Sequence, residues 1–498
     1  MCQVVEEYDS VLEQKPQPAV SKKCMKCKED TAVVIIRVGD AFCRSCFNEY
    51  FIHKFRAMLG KNRVIYPGEK VLLAVSGGPA SSCMLAQVQE GLSRDAAKKL
   101  RFTPGIIFID EGGVCGQSNE QREKTVVQLE SIFRTTGFPY HIVPLEQVFT
   151  LPESILKPVR SQKQPSVDYK AAVDQHIQTE LTRTRGTSVV KECQDAVGRL
   201  NLQTSTYKPE HKLALEELFS SLKSLTAKQD MLHTLRQHLI LHTARVNSYS
   251  KVMMGDSCTR LAIKLLTNIS LGRGSALAAD TAFSDSRYGD VVTLRPMRDY
   301  SSKEIGFYNR LFRVPSVFIP GLDTKTADKA SIQRLTESFV VKLQADFPST
   351  VSTVYRTSEK LNTACPQSSS AEPAEKCLLC LCALDTKADD ASAFHATLVS
   401  EQLSRGTLEK KAQSDPGCCQ GQKPECGDGG CCSTTRVPAA SDLKSLLCYS
   451  CRLTIKDMTA VNSLPVYVTS EAEKRQRRAA MKKEICEFLL EDGGADDE

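Results

Sequence analysis

Two pairs of cysteines near the start of the sequence have a spacing that suits a metal ion. Cys24 and Cys27 form one Cys-x-x-Cys pair, and Cys43 and Cys46 form a second pair after residues 28–42. Each pair can place two thiolates on one tight turn, and a short hairpin between the pairs would bring four sulfur ligands together tetrahedrally. The spacing therefore predicts a four-cysteine zinc site. Because such a site has no open coordination position, we expect a structural or docking role and no catalysis.

A second set of cysteines stands near the other end of the chain. Cys377 and Cys380 form one pair, and Cys448 and Cys451 form the other. The long segment between them does not prevent closure, since the entropic cost of a loop rises only logarithmically with its length. We predict a second metal site here, with Cys382 as an alternative ligand and a group of unconnected reduced thiols as the competing interpretation. Four-cysteine spacing favours zinc without excluding an iron–sulfur cluster.

A turn of small residues, SGGPASS at 76–82, follows an apolar β-type run and precedes a helix-type segment. Glycines permit close approach of the backbone, N–H groups at the start of a helix attract anions, and serine hydroxyls can reach phosphate oxygens. The candidate nucleotide-binding residues are Ser76, Gly77, Gly78, Ser81 and Ser82. The turn lacks the Gly-Lys-Ser/Thr ending of a Walker A loop, and a purely structural turn is an equal alternative.

The composition is that of a globular chain with more than one packed unit. Its 498 residues are 41% hydrophobic and 25% charged, which predicts two or three units and no overall disorder. The net charge of +6 permits contact with a polyanion without demonstrating it. No apolar run reaches the roughly 18 to 20 residues that cross a bilayer, and the first residues lack the pattern of a signal peptide. We therefore expect a cytoplasmic protein, without membrane contact, whose 21 cysteines are reduced.

Strand-like and helix-like segments alternate between about residues 65 and 350. The predicted strands are 70–75, 105–109, 140–143, 251–254 and 290–294. The predicted helices are 51–62, 81–92, 120–133, 212–224, 229–246, 258–271, 301–313 and 329–346. This alternation is typical of an α/β fold with a doubly wound parallel sheet.

Changes in composition divide the chain into three regions. They are an N-terminal cysteine module at 1–50, an α/β domain at 51–350 with an insertion at about 151–211, and a C-terminal region at 351–498. The cysteine modules are expected to resemble zinc ribbons at the two ends of the α/β domain. Residues 386–442 contain a Gly-, Ser- and Cys-rich tract that cannot bury enough apolar surface to form a core, so we predict a disordered insert.

Three motifs resemble the PP-loop ATP pyrophosphatase family, whose signature is Ser-Gly-Gly-x-Asp-Ser. They are SGGPASS at 76–82, FIDEG at 108–112 and MGDS at 254–257. Within that family, PMRDYSSKEI at 296–305 and the flanking cysteine pairs are similar to the chains that thiolate cytoplasmic tRNA. The resemblance covers nearly the whole chain. It implies a doubly wound fold like that of the adenine nucleotide alpha hydrolases.

The resemblance also implies a reaction and a set of partners. Such a chain is expected to form a heterodimer with a catalytic PP-loop sister subunit and to act on tRNA. The pair is implied to adenylate the 2-position of the wobble uridine in tRNA Lys, Glu and Gln. The pair is further implied to replace the oxygen at this position with sulfur from a thiocarboxylated ubiquitin-related modifier.

The sequence departs from the family pattern at positions that carry chemistry. Ala80 stands where the signature has Asp, which removes a carboxylate that would organise Mg²⁺ and the nucleotide phosphates. No cysteine lies in 228–239 or 316–320, where relatives carry sulfur-handling thiols, and an acidic pair is absent from 255–260. We therefore expect a non-catalytic subunit that does not turn over ATP–Mg²⁺.

Two other functions are open at this point. One is an active ATP-dependent tRNA sulfurtransferase that uses Cys115 or another thiol, although Cys115 has no identifiable neighbouring base and fits an ordinary loop cysteine better. The other is a zinc-bearing protein adaptor that makes no contact with tRNA.

A predicted helix at about 470–490 carries a run of basic residues. Lys474, Arg475, Arg477 and Arg478 are the candidate tRNA-binding residues, because closely spaced cations suit phosphate contacts. A solvated helix face and a nuclear-import-like signal are the alternatives.

Overall fold

The computed structural model describes most of the chain. The described residues are 23–36, 40–93, 99–157, 168–185, 208–358, 360–361, 376–384, 392, 395–405 and 443–486. The strands are β1 (Val34–Ile35), β2 (Ala41–Phe42), β3 (Lys70–Ala74), β4 (Thr103–Asp110), β5 (Tyr140–Pro144), β6 (Lys251–Met254), β7 (Ser284–Asp285) and β8 (Val292–Leu294). β1 and β2 form an antiparallel pair, and the other six form one sheet in the order β5-β4-β3-β6-β8-β7.

Helices cover this sheet and extend to the end of the described chain. Those of the first half are α1 (Arg44–Asn62), α2 (Pro79–Leu92), α3 (Asn119–Thr136), α4 (Tyr169–Arg185), α5 (Pro209–Ser221) and α6 (Leu225–Val246). Those of the second half are α7 (Cys258–Ser270), α8 (Leu277–Thr281), α9 (Ser302–Phe312), α10 (Ile332–Asp346), α11 (Pro348–Ser358), α12 (Ala396–Arg405), α13 (Tyr449–Lys456) and α14 (Val466–Cys486).

The sheet is parallel except at one edge. In β3, Leu72 lies opposite Gly105 of β4 and Val252 of β6, and both pairings are parallel. The sequence KVLLA of β3 is buried on both faces, which is why it reads as a continuous apolar run and not as an alternation. Strand order reverses at β3, so the predicted doubly wound α/β fold is confirmed. The antiparallel β7 was not predicted, because its two residues carry no β pattern.

The N-terminal cysteine module packs on the sheet domain through α1, which begins seven residues earlier than predicted, at Arg44 rather than 51. The ring of Phe51 stacks on Tyr308 with centroids 4.0 Å apart and lies 4.4 Å from the ring of Tyr300. The Tyr300 hydroxyl also donates a 2.6 Å hydrogen bond to the Phe51 carbonyl. These contacts join the module and the α/β domain in one apolar core.

The C-terminal residues share a core with the α/β domain as well. Leu378 and Leu379 from the second cysteine region belong to the same buried cluster as Leu235 and Leu239 of α6. Tyr467 of the terminal helix joins them. The α/β domain and the C-terminal region, which differ in composition, therefore share one continuous apolar interior.

Helix α12 lies inside the segment 386–442 that was predicted to be disordered, so the prediction does not hold for these ten residues. α12 packs on α7, and its first residue, Ala396, is fully buried. The sequence did not reveal this helix because a short amphipathic segment gains its stability from tertiary packing. The Gly- and Cys-rich tract itself lies outside the described residues.

The predicted insertion at 151–211 contains helical structure where it is described. A 3₁₀ turn occupies Glu153–Leu156, α4 follows at Tyr169–Arg185, and α5 begins at Pro209. Residues 158–167 and 186–207 lie outside the described residues. Across the described ranges, every helix is too short or too polar to traverse a lipid bilayer.

A buried ion pair joins helix α3 to the end of β4 and to the segment that follows β5. The guanidinium of Arg122 donates to both carboxylate oxygens of Glu146, at 2.6 and 3.0 Å, and to Asp110 at 2.8 Å. Glu146 is fully buried and Arg122 is 5% exposed. Removing one partner of such a pair leaves the other charge buried without compensation.

We expect Arg122→Met to lower the free energy of unfolding by about 3–5 kcal/mol, because the Glu146 carboxylate loses its partner. Urea titration followed by circular dichroism measures this change. Arg134→Met is the matched control, since the exposed Arg134–Glu130 pair contributes about 1 kcal/mol or less. Equal losses in the two variants would contradict a dominant role for the buried pair.

Candidate functional site

The four N-terminal cysteines converge as the spacing predicted. The sulfur atoms of Cys24, Cys27, Cys43 and Cys46 all lie within 4.8 Å of one another. The sulfur atoms of Cys27 and Cys43 are 3.9 Å apart. A tetrahedral ion with metal–sulfur bonds of about 2.3 Å separates its ligands by about 3.8 Å, so this set could hold a metal ion.

Backbone hydrogen bonds shape each of the two N-terminal turns. The first turn is closed by the Lys28 N–H, which donates to the Cys24 carbonyl at 2.9 Å, and Lys28 adopts a left-handed φ of 63°. In the second turn, Cys43 caps α1, and its sulfur accepts a 3.5 Å hydrogen bond from the Cys46 N–H. An N–H group at a helix start stabilises negative charge on a thiolate, which favours metal binding.

The C-terminal cysteines form a second convergent set. The sulfur atoms of Cys377, Cys380, Cys448 and Cys451 also lie within 4.8 Å of one another. Cys380 and Cys448, from different pairs, have sulfur atoms 3.5 Å apart. Each set therefore offers four soft ligands and could hold a metal ion in a closed site.

Cys382, the predicted alternative ligand, lies outside the set of four converging sulfur atoms. Its sulfur accepts a 3.0 Å hydrogen bond from the guanidinium of Arg287, and its thiol points to the Cys380 carbonyl at 3.8 Å. The side chain is thus held next to the cluster by an arginine and is not needed to complete the ligand set.

A buried histidine holds the first pair of the C-terminal set in place. His238 of α6 bonds through Nε2 to the Leu379 carbonyl at 2.8 Å and through Nδ1 to the Tyr467 hydroxyl at 2.7 Å. Because a carbonyl can only accept, Nε2 carries the proton and Nδ1 accepts from Tyr467. Burial lowers the pKa of His238 to about 4, so the ring is neutral at neutral pH.

The small-residue turn lies at the carboxyl end of β3, at the point where strand order reverses. Its hydroxyl groups bond within the turn. Ser81 Oγ donates to the Gly78 carbonyl at 3.1 Å and accepts from the Ser76 N–H at 3.2 Å. Ser82 Oγ donates to the Gly77 carbonyl at 3.2 Å. The groups that were predicted to reach phosphate oxygens are therefore engaged with the turn itself.

Another segment covers the same turn. The Val317 N–H donates to the Gly77 carbonyl at 2.9 Å. A Cβ atom placed on Gly77 would lie 3.1 Å from Ile319 Cδ1 and 3.1 Å from Leu129 Cδ2, and Gly77 has a left-handed φ of 79°. The local backbone and its packing account for this glycine without a ligand.

Three cysteines outside the two sets, Cys83, Cys115 and Cys258, are poor nucleophiles. Burial raises the pKa of Cys115 to about 12 and the pKa of Cys258 to about 11, and it also raises the pKa of Cys83. A thiol reacts as its thiolate, and these thiols are protonated at neutral pH. Ala80, at the family's Asp position, packs against the apolar core.

One of the four predicted tRNA-binding residues, Arg475, is engaged in hydrogen bonds within the protein. The guanidinium of Arg475 donates to the Leu156 carbonyl at 3.0 Å and to the Lys376 carbonyl at 2.5 Å. It also donates to the Glu471 carboxylate at 3.0 Å. Arg475 therefore ties the terminal helix to two distant segments.

The other three predicted tRNA-binding residues of α14 are more accessible. Lys474 forms an ion pair with Glu153. The side chains of Arg477 and Arg478 are 77% and 62% exposed, and their ion-pair distances to Glu473 and Glu471 are 3.6 and 3.8 Å. Contacts this long and exposed add little stability, so both guanidinium groups can exchange them for phosphates.

Sequence reasoning missed His238 and Arg287, which position the second cysteine set. For His238 a signal existed, because it follows Leu235 by three residues and therefore lies on the apolar face of α6. A histidine on such a face needs a buried partner. For Arg287 no local pattern indicated its contact with Cys382, which lies 95 residues further along the chain.

We expect the double variant Cys380→Ser with Cys448→Ser to lose one of two bound metal ions, because two ligands of the second set are removed. Inductively coupled plasma mass spectrometry of the purified chain measures metal per chain. Cys382→Ser is the matched control and should keep both ions. Metal loss in Cys382→Ser equal to that in the double variant would contradict the assignment of ligands.

We expect Arg475→Ala to lower the free energy of unfolding by about 1–3 kcal/mol, because the part-buried carbonyls of Leu156 and Lys376 lose their donor. Arg477→Ala on the same helix should change it by about 0.5 kcal/mol or less. Urea titration of the two variants side by side gives the comparison. Equal losses of unfolding free energy in the two variants would contradict a stabilising role for Arg475.

Comparison with known proteins identifies the family. The family model described as Cytoplasmic tRNA 2-thiolation protein 2 matches residues 331–453. The chain is similar to three curated proteins named Cytoplasmic tRNA 2-thiolation protein 2. The Danio rerio protein is 67% identical, covering 99% of both chains. The Xenopus tropicalis protein is 53% identical, covering 99% of both, and the Homo sapiens protein is 51% identical, covering 100% of this chain and 99% of the relative.

Among solved structures, the chain is similar to U34-tRNA thiolase NcsA from Methanococcus maripaludis with its 4Fe–4S cluster. That match has a TM-score of 0.45 and 13% identity, and it covers 69% of this chain and 87% of the other. High identity over the full length of the curated relatives decides the assignment: the chain belongs to the cytoplasmic tRNA 2-thiolation protein 2 family.

Proposed function

We propose that this chain is the non-catalytic subunit of a cytoplasmic complex that 2-thiolates the wobble uridine of tRNA Lys, Glu and Gln. Its partner is a catalytic PP-loop sister subunit, and the sulfur comes from a thiocarboxylated ubiquitin-related modifier. The chain contributes a surface for tRNA and for the sister subunit, and the sister subunit contributes ATP and sulfur chemistry. Full-length similarity to the family supports the reaction, and the geometry of the chain supports the division of roles.

The observation that carries the non-catalytic role is the state of the turn at 76–82. Its serine hydroxyls bond to carbonyls of the same turn, and the Val317 N–H occupies the Gly77 carbonyl. A nucleotide phosphate would have to displace these contacts without the carboxylate that Ala80 replaces. The turn therefore suits a packing role better than ATP cleavage.

Sulfur transfer by this chain is disfavoured by its thiols. Eight cysteines are gathered in the two closed sets, and Cys115 and Cys258 have pKa values that burial raises. A closed set of four sulfur ligands leaves no coordination position for a substrate. An active sulfurtransferase is therefore the weaker candidate.

Zinc is the metal that we propose for both sets. Four cysteines in closed sites on short turns are typical of structural zinc, which contributes directly to folding. Each set joins a terminal segment to the α/β domain, through α1 at one end and through α6 at the other. The ions would hold the surfaces in place and would take no part in the reaction.

Contact with tRNA is proposed for the exposed face of α14. Arg477 and Arg478 are two accessible cations there, and phosphate binding by such residues is strong at low salt and weakens as salt rises. The rival function, a zinc-bearing adaptor without tRNA contact, predicts that these arginines have no effect on tRNA.

We expect Arg477→Glu with Arg478→Glu to weaken tRNA binding by the assembled complex at least tenfold and to reduce its salt dependence by one to two counterions. Filter binding at several salt concentrations measures both quantities. Lys124→Glu with Arg134→Glu on α3 is the matched control, with the same change of charge at exposed positions. Unchanged affinity in the α14 variant would favour the adaptor function.

We expect cells that lack this chain to lose 2-thiouridine at the wobble position, and Ser76→Ala and Cys115→Ser to restore it as well as the unaltered chain does. Mass spectrometry of tRNA nucleosides is the measurement. Failure of either variant in a complex that still assembles would move chemistry into this chain. Unchanged thiolation without the chain would defeat the proposed function altogether.

A further inference from the structure

A cavity of about 370 Å³ lies between α6 and α7, beyond the carboxyl ends of β6 and β8. Cys380 and Cys448 of the second metal set contribute to one wall, and the charged side chains described below line another. The turn at 76–82 does not line the cavity. This cavity is therefore separate from the candidate nucleotide loop.

Several buried polar groups in the cavity wall have no hydrogen-bond partner. They are the hydroxyls of Thr267 and Thr293 and the Arg295 Nε, whose ion pair with the Asp256 carboxylate spans 3.5 Å; these residues are only 8%, 2% and 3% exposed. The Lys264 ammonium faces the same cavity, and its ion pair with Asp280 spans 3.7 Å, which is too long for a hydrogen bond. Native proteins rarely leave such groups unpaired, so each needs an explanation.

The Asp280 and Asp285 carboxylates in the same wall are occupied, whereas the Gln229 Oε1 acceptor of α6 is not. The Asp280 carboxylate accepts from Arg287 at 2.5 Å and from Asn268 at 2.7 Å. Asp285 accepts from the Arg287 Nε at 3.0 Å, and Arg295 lies 3.7 Å from it. These two carboxylates are thus neutralised by arginines, while Lys264, Arg295 Nε and the hydroxyls of α7 and β8 are left without hydrogen bonds. A ligand that offers acceptors would satisfy this group of side chains.

We propose that this cavity binds a tetrahedral oxyanion of the phosphate or sulfate type, held by Lys264, Thr267, Thr293 and Arg295. Such a ligand offers acceptor oxygens in several directions and carries the negative charge that Lys264 and Arg295 would favour. The inference goes beyond the proposed function and does not depend on it.

The electrostatic setting of Lys264 agrees with an anionic ligand. Burial lowers the pKa of Lys264, and the nearby Arg295 and Arg287 lower it further, whereas Asp280 and Asp256 act in the opposite direction. A bound anion between Lys264 and Arg295 would relieve the repulsion of these two cations. The cavity is larger than one oxyanion, so the phosphate can be a free ion or part of a nucleotide.

The test measures binding of inorganic phosphate to the full chain by isothermal titration calorimetry at constant ionic strength. We expect saturable binding, with Kd raised at least tenfold in Lys264→Met and in Thr293→Val. The isosteric Thr293→Val removes only an unpaired hydroxyl, so the fold should persist. Thr336→Val, a buried threonine of α10 outside the cavity, is the matched control and should bind phosphate like the unaltered chain.

A second arm replaces phosphate with sulfate and with uridine 5′-monophosphate. Similar Kd values for the three ligands would indicate a free oxyanion. Tenfold tighter binding of the nucleotide would indicate a nucleotide phosphate. Either result supports the site if Lys264→Met abolishes the binding. Absence of binding by all three ligands would overturn the proposal. Equal binding in all variants would also overturn it, since the unpaired donors would then be satisfied by water alone.

Discussion

The neutral imidazole of His238, buried between the Leu379 carbonyl and the Tyr467 hydroxyl, fixes the second cysteine set on the α/β domain. Because both ring nitrogens are bonded, the ring cannot rotate without losing a buried partner, and burial disfavours its protonated form. The turn that carries Leu379 is thereby held against α6, and the start of α14 is held with it. His238 thus links the cavity wall, the second cysteine set and the terminal helix, which Arg475 and the shared apolar core also hold in place.

The turn after β3 illustrates how a ligand-binding geometry becomes a packing element. Its glycines and serines have the types that a phosphate cradle needs, yet Ser81 and Ser82 satisfy the carbonyls of the turn and Val317 satisfies another. The close approach of β6 adds a further constraint, since a Cβ atom on Gly255 would lie 2.8 Å from Ser81 Cα. Packing and hydrogen bonds within the turn thus account for the glycines and serines of this motif.

Local patterns predicted the parts of the molecule whose cause is local. β3 reads as an apolar run because both of its faces are buried, and β6 was predicted with its observed bounds for the same reason. The cysteine pairs were predicted because Cys-x-x-Cys spacing is a short-range constraint. By contrast, nothing near Arg475 in sequence indicated that it binds the Leu156 carbonyl, 319 residues earlier in the chain. Whether a basic side chain is accessible thus depends on tertiary contacts, and the formation of helix α12 depends on them as well.

The two metal sets differ in how much of the chain they require. The N-terminal set is complete once Cys46 has left the ribosome, and its helix can begin to form at once. The C-terminal set needs Cys451, so it closes only after the whole sheet has been synthesised. Until then Leu378 and Leu379 are not fixed on the apolar side of α6 by a closed set. A chain that ends before Cys451 therefore lacks the cross-link that fastens its C-terminal region to the α/β domain.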